Sequence, residues 1–233
     1  MANILITGAS RGIGKSIAEK LSNHNLFLTA RNEEALKILN PCDYCICDLA
    51  DDINTLVNFV KGKEINILIN NAGEYIYKNV EELSFDEINR LVRINLEIPM
   101  LLASVCTPCM KEQKWGRIIN IGSISGVMGE AFASVYSATK AGLIGFTKAA
   151  GLELAGHGIT VNTINPGWVE TDLGLESINE SEFTLEETLQ TIPQRRFVQP
   201  EEVASLVEYL ISNEARGVTG QSINICAGLS VGI

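Results

Sequence analysis

Short apolar runs alternate with longer amphipathic stretches along the whole length of this chain. The apolar runs predict strands at Asn3–Thr7, Leu26–Ala30, Tyr44–Cys47, Ile65–Asn70, Gly116–Ile121, Thr160–Asn165 and Ser222–Ile225. Between them, apolar residues recur at helical spacing from near Gly12, Asn32, Asp52, Ser84, Pro99, Ser134 and Pro200. Runs such as ILIT and INILIN show no polar alternation, as expected of strands covered by helices on both faces. Strand and helix taking turns in this way predict an α/β chain, a doubly wound parallel seven-stranded sheet with helices on both faces. At 233 residues the chain suits one such domain better than two small ones.

The rhythm breaks once, at Thr171–Phe197, a polar and acidic stretch placed just after a strand end. Ligands of open α/β sheets bind beyond the carboxyl ends of the strands, so residues 171–197 read as a substrate lid, with Phe183 and Leu185 as lining candidates. An ordinary surface excursion is the alternative.

The first predicted strand runs directly into Thr7-Gly8-Ala9-Ser10-Arg11-Gly12-Ile13-Gly14, and an amphipathic helix follows. Glycines let a backbone turn tightly and approach a pyrophosphate closely, and the helix N-terminus then offers unpaired N–H groups to the anion. Gly8, Ser10, Gly12, Ile13 and Gly14 are therefore dinucleotide-binding candidates, although three glycines in a turn can also be only a turn. The second strand settles which dinucleotide is expected. An acidic residue at its tip would bind a ribose 2′-hydroxyl, whereas an arginine accommodates a 2′-phosphate. Here the strand ends in Arg31, and Arg11 lies inside the glycine loop, so NADP(H) is expected over NAD(H).

Composition narrows the partners. The formal net charge of −10 argues against nucleic acid, whose binding draws on Lys and Arg meeting phosphates. No apolar run approaches the roughly 18 residues of a membrane span, and the N-terminus lacks a basic signal-peptide region. A cytoplasmic protein is the expectation, with its six cysteines as reduced thiols. Cys42-x-x-Cys45 and Cys106-x-x-Cys109 would supply a zinc site's ligand count. Their strand-like and helical spacings favour buried thiols and no metal. His24 and His157 both fall near turns and are expected to face solvent.

Tyr136 and Lys140 stand four apart in a helical pattern, so an ammonium can lie near a phenol and lower its pKa. Such a pair alone is a weak signal. Thirteen residues before Tyr136, however, Ser123 follows the run RIINIG, NNAG closes the fourth strand at Asn70–Gly73, and Asn95 lies on the next helical segment. With TGASRGIG, YSATK and NPG at Asn165–Gly167, the chain resembles the short-chain dehydrogenase/reductase family over essentially its whole length. That resemblance implies a single-domain Rossmann fold. It implies Tyr136 as proton donor, Lys140 as the group tuning it and holding the nicotinamide ribose, and Ser123 as the hydroxyl orienting the substrate carbonyl. Asn95 would hold a water linking Lys140 to solvent. Gly8, Arg11, Ile13, Asp48, Leu49, Asn71, Ala72 and Gly73 match cofactor-contacting positions, with Asp48 touching the adenine. Pro166, Gly167, Val169 and Thr171 match the segment closing on the nicotinamide.

Within the family, the stretches WGRIINIGSISG, ATKAGLIGFTKAAGLELAGHGITVN and INPGWVETDL most resemble bacterial 3-oxoacyl-(acyl-carrier-protein) reductases, type II polyketide ketoreductases included. The departure is Ala227, where the family often has glycine. The implied reaction is NADPH-dependent reduction of a 3-oxoacyl thioester on acyl carrier protein or coenzyme A. 3-Hydroxybutyrate dehydrogenases, which share WGRIINI and NPGWV, or another short-chain alcohol dehydrogenase or carbonyl reductase are the alternative, followed by a non-catalytic nucleotide binder. An acidic carrier would need a positive spot, for which Lys111, Lys114 and Arg117, or Arg195 and Arg196, are candidates. The resemblance implies a homo-oligomer, tetramer or dimer, built on the C-terminal strand and on two apolar helices carrying Leu101, Leu102, Val105, Leu143, Phe146 and Leu152.

Overall fold

The computed structural model describes residues 1–180 and 184–231. The first half runs β1 (Asn3–Thr7), α1 (Gly12–Lys20), β2 (Asn25–Ala30), α2 (Glu33–Ile38), β3 (Asp43–Ile46), α3 (Ile53–Val60) and β4 (Ile67–Asn70). Then come α4 (Phe85–Val92), a π turn (Arg93–Glu97), α5 (Ile98–Gln113), β5 (Gly116–Ile121), α6 (Ser125–Met128), α7 (Ser134–Leu154) and β6 (Ile159–Pro166). The chain continues through α8 (Asp172–Glu180), α9 (Leu185–Thr191), α10 (Pro200–Ile211) and β7 (Ser222–Ile225).

All seven strands pair in parallel in the order β3-β2-β1-β4-β5-β6-β7. Alternate residues along each strand feed two cores. Ile4, Ile6, Ile67, Ile69 and Ile119 face one, with Ile17 of α1 and Val203 and Val207 of α10. Leu5, Leu68 and Ile118 face the other, with Leu56 of α3 and Leu102 and Met110 of α5. The strand order reverses between β1 and β4, and the crevice left there is where α/β sheets bind ligands.

β3 begins one residue earlier than the sequence predicts, and β4 two residues later. Before β4, Asn66 brackets Asn3, donating its N–H to the Asn3 carbonyl and accepting the Asn3 N–H on its side chain. The helical segments expected from Ser84 and Pro99 are one helix, Phe85–Gln113. Pro99 lacks the N–H that would bond the carbonyl of Asn95, and the widened turn sits there. Joined, the 29 residues are long and apolar enough to cross a membrane, with mean hydropathy 1.3 over the best window. Reading the halves apart misses this. Ile98, Leu102, Cys106 and Met110 are buried in the second core.

Other expectations need correction. Arg117 is 1% exposed, with its guanidinium 4.6 Å from the Trp115 ring centre and donating to the carbonyls of Gly116 and Gly158. It therefore cannot dock a carrier. Leu102 and Leu143 belong to the interior, while Leu101 and Leu152 are exposed. His157 faces solvent, but His24 is half-buried and accepts the Ala2 N–H on Nδ1 at 3.3 Å. Burial, then the N-terminal charge, lowers its pKa. Cys42 is exposed, while Cys45, Cys47, Cys106 and Cys226 are buried. Burial pushes the thiols of Cys45 and Cys106 up to about 12, and among the described residues no group of three or more His, Cys, Asp or Glu could hold a metal.

Candidate active site

A cleft of about 410 Å³ opens along the carboxyl ends of the central strands. At its floor the glycine loop is packed tightly. Gly8 has a φ of +67°, and a Cβ there would meet Ala72 Cα at 2.9 Å; one on Gly14 would strike the Gly8 carbonyl and the Asn71 amide. Asn71 clamps the loop, donating from Nδ2 to the carbonyls of Thr7 (2.9 Å) and Gly8 (3.0 Å). The next helix, α1, has no side-chain cap and no acid in its first turn. Its leading N–H groups are thus left for an anion.

The rim of the cleft beyond the glycine loop is ringed by charge. Arg11 lies 3.9 Å from Asp172. Arg31 reaches Asp48 at 3.6 Å and Glu74 at 3.8 Å, and Arg90 donates to Glu74 at 2.7 and 2.8 Å and to Asp48 at 3.1 Å. Burial alone would raise the Asp48 pKa. Hydrogen bonds from the Ala50 N–H and Arg90, with Arg31 nearby, hold it below the usual range instead. Both arginines expected to meet a 2′-phosphate line this cleft, as do Asp48 and Leu49. A glycine cradle that side chains would fill, an uncapped helix start and two arginines at one end fit a phosphorylated dinucleotide.

At the other end stand Ser123, just past β5, and Tyr136, in the first turn of α7. Lys140 follows one turn later, its Nζ 5.5 Å from the Tyr136 ring centre and donating to the Ile121 carbonyl at 2.9 Å. Gly126 lets the serine turn close on α7, since a Cβ there would meet the Lys140 backbone at 2.6 Å. The phenol is not acidified as the sequence suggests. Burial pushes the Tyr136 pKa up to about 12, against the pull of the Ser123 hydroxyl and with a further push from Glu130. The Lys140 ammonium is bound to a carbonyl, and burial lowers its own pKa to about 8.

The π turn swings Asn95 inward, where Oδ1 accepts the Glu74 N–H (2.9 Å) and Nδ2 donates to the Glu74 carbonyl (2.8 Å). Gly73 lies between Asn95 and Lys140, for a Cβ on it would be 3.1 Å from the first and 3.5 Å from the second. Ser10, Gly12, Ile13, Ala72, Pro166, Gly167, Val169 and Thr171 all line the cleft, whereas Gly14 and Asn95 support it from behind. The 171–197 excursion is pinched at its base by a bridge between Val169 and Val198. Leu173, Gly174 and Ser177 face the cleft. Leu185 is exposed and not part of the cleft lining, and Phe183 lies outside the described residues.

Sequence reasoning missed Glu74, Tyr75, Arg90, Ser125 and Glu130. Tyr75 donates to Glu130 at 2.7 Å and stands edge-on to the Tyr136 ring at 5.1 Å. Glu74 and Tyr75 directly follow NNAG and were findable from it; Arg90 has the look of a solvent-facing helix residue.

Comparison with known proteins agrees with this geometry. Residues 8–230 match the family described as "Enoyl-(Acyl carrier protein) reductase". Among curated relatives, the 3-oxoacyl-(acyl-carrier-protein) reductase FabG of Rickettsia conorii is 37% identical, over 97% of this chain and 95% of that one. FabG of Vibrio cholerae is 35% identical over 97% and 96%. A crystal structure of a point variant of actinorhodin polyketide ketoreductase with NADPH superposes at a TM-score of 0.92, with 37% identity over 99% of this chain and 97% of that one. The glycine loop, the serine turn and the Tyr136–Lys140 helix all lie within the matched span, and the chain belongs to the short-chain dehydrogenase/reductase family.

Proposed function

We propose that this protein uses NADPH to reduce the 3-oxo group of an acyl thioester, carried by acyl carrier protein or coenzyme A, to the 3-hydroxyacyl product. One observation carries the reading: Ser123, Tyr136 and Lys140 meet at one end of a cleft whose other end holds the glycine cradle with Arg11 and Arg31. The names of the similar reductases support the thioester substrate.

Bound NADPH supplies the hydride to the carbonyl carbon. Ser123 turns its hydroxyl proton from Ser125, where it rests at 3.0 Å, to the carbonyl oxygen, and that hydrogen bond strengthens as negative charge grows there. Tyr136, whose raised pKa keeps its proton on at neutral pH, gives that proton to the same oxygen. Lys140, titrating near 8, stands one turn behind and is suited to resupply the phenol, with Asn95 framing the way out past Gly73. Gly8, Ser10, Gly12, Ile13 and Gly14 form the pyrophosphate seat, Arg11 and Arg31 receive the 2′-phosphate, and Asp48 and Leu49 flank the adenine. Asn71, Ala72, Gly73, Pro166, Gly167, Val169 and Thr171 bound the rest. Residues 171–197 act as the lid through Leu173, Gly174 and Ser177. The protein works in the cytoplasm as a dimer or tetramer joined through α5 and α7, to which Leu101 and Leu152 contribute exposed apolar surface. With Arg117 buried and Arg196 held by Glu202 at 2.6 and 2.9 Å, Lys111, Lys114 and Arg195 are left to meet an acidic carrier, and kcat/KM for a carrier-borne substrate falls with salt.

NADPH oxidation is to be followed with acetoacetyl and crotonyl thioesters, and NAD⁺ reduction with 3-hydroxybutyrate. Turnover of the acetoacetyl thioester supports the reading; turnover confined to either of the others, or none at all, overturns it. Tyr136→Phe retains NADPH binding and loses at least about a hundredfold in kcat, measured by NADPH fluorescence beside the assay.

A further inference from the structure

Carbonyl reduction leaves one group at the substrate end of the cleft without a task. Glu130 sits on the wall beside Ser123, Ser125, Met128 and Tyr136. Different donors fix its two oxygens: the Tyr75 hydroxyl on Oε1 at 2.7 Å and the Ser125 hydroxyl on Oε2 at 2.5 Å. Ser125 in turn accepts from the Ser123 hydroxyl at 3.0 Å. A carboxylate is thereby anchored one hydroxyl away from the residue assigned to grip the substrate carbonyl. Its field already reaches the proton donor, helping to push the Tyr136 pKa upward.

No cation among the described cleft residues offsets it. Arg11 and Arg31 are at the adenosine end beside Asp172, Asp48 and Glu74. Lys140 stands at the same end as Glu130, but its ammonium is bound to the Ile121 carbonyl near Gly73 and forms no ion pair with Glu130. A free 3-oxo acid carries its own carboxylate one methylene from the reacting carbonyl, so gripping that carbonyl brings two negative charges together. In a thioester the same position is neutral. At an effective dielectric near 20, two like charges within about 6–10 Å of each other repel by on the order of ten- to a hundredfold in an equilibrium constant.

We infer that Glu130 is a specificity-determining residue that bars free 3-oxo acids and admits 3-oxoacyl compounds whose acyl head is uncharged. The inference rests on the proposed activity and narrows its substrate class.

Acetoacetamide and acetoacetate share the ketone, the skeleton and nearly the same size, and differ in charge. The wild-type enzyme is expected to favour the amide by at least about thirtyfold in kcat/KM, and Glu130→Gln to cut that ratio by at least about tenfold. The ratio within each protein is the readout, so a general loss of rate does not obscure it. If the variant loses turnover, binding of the two compounds to its NADPH-loaded form, followed by NADPH fluorescence, reports the same ratio. A wild-type ratio near one overturns the inference, as does an unchanged ratio in the variant. Reduction of an acetoacetyl thioester alongside a ratio near one removes the inference alone. Failure to reduce thioester and amide alike removes the proposed activity and the inference with it.

Discussion

Lys140 is 4% exposed and donates one hydrogen bond, to the Ile121 carbonyl. Burial lowers its pKa from 10.5 to about 8, so below that pH the folded protein carries a charge it would rather shed. The cost is on the order of 3 kcal/mol at neutral pH. Between about 8 and 10.5 the native state has lost a proton that the unfolded chain still holds, and stability rises with pH. Tyr136 has the opposite slope: its pKa is raised from 10.0 to about 12, so its contribution falls as pH climbs through that window. Lys140→Met is therefore expected to be inactive yet more stable than wild type by about 1–3 kcal/mol at pH 7. The gain should shrink by pH 10. Urea denaturation at the two pH values checks this, and a variant no more stable than wild type at pH 7 refutes it. A gain of that size would mark Lys140 as a group kept for the reaction rather than for the fold.

Arg90 joins elements that the sequence leaves apart. From α4 it holds Asp48, which follows β3, and Glu74, which follows β4. Releasing both carboxylates frees them to repel a 2′-phosphate, so Arg90→Ala is expected to raise KM for NADPH about tenfold with kcat within about threefold, in steady-state kinetics at saturating substrate. The strands, the glycine loop and the Tyr136 helix were legible in the sequence because each depends on local spacing: apolar runs, turn glycines, and residues four apart. The π turn was not, because it arises where Pro99 meets an otherwise regular helix, and only the joined helix reveals the inward swing of Asn95. Arg117 looked like surface charge, but its strand is central and its guanidinium stacks on Trp115. Ala227 was visible as a departure from glycine. Its φ of +52° gives the reason glycine suits that position. Glu130 stayed hidden because one of its partners, Tyr75, comes from the segment after β4, and the other, Ser125, faces it only across the short turn of α6.

At the scale of the molecule, the cleft is shared by both halves of the sheet. β1 supplies the glycine loop, β4 the Asn71 clamp, β5 the serine and β6 the Pro166 segment. A ligand spanning it ties together elements belonging to both cores, and binding to the native state alone stabilises the whole fold. At 100 times its Kd, NADPH should add about 2.7 kcal/mol, or roughly 5–10 °C in Tm for a chain of this size. Under the proposed placement, the rim carrying Arg11 and Arg31 would determine which nucleotide does this. On the proposed reading NADPH would bring a 2′-phosphate to Arg11 and Arg31, while NADH would bring a hydroxyl to a rim carrying Asp48 and Glu74. Thermal unfolding at equal nucleotide concentration should therefore show the larger shift with NADPH. In the double variant Arg11→Ala/Arg31→Ala, the NADPH shift should fall to that of NADH or below, because the carboxylates then face the phosphate without those two guanidiniums. The NADH shift should stay within about 2 °C of wild type, since the pyrophosphate seat is backbone and is untouched. A double variant that still prefers NADPH would mean that the 2′-phosphate is recognised elsewhere in the cleft.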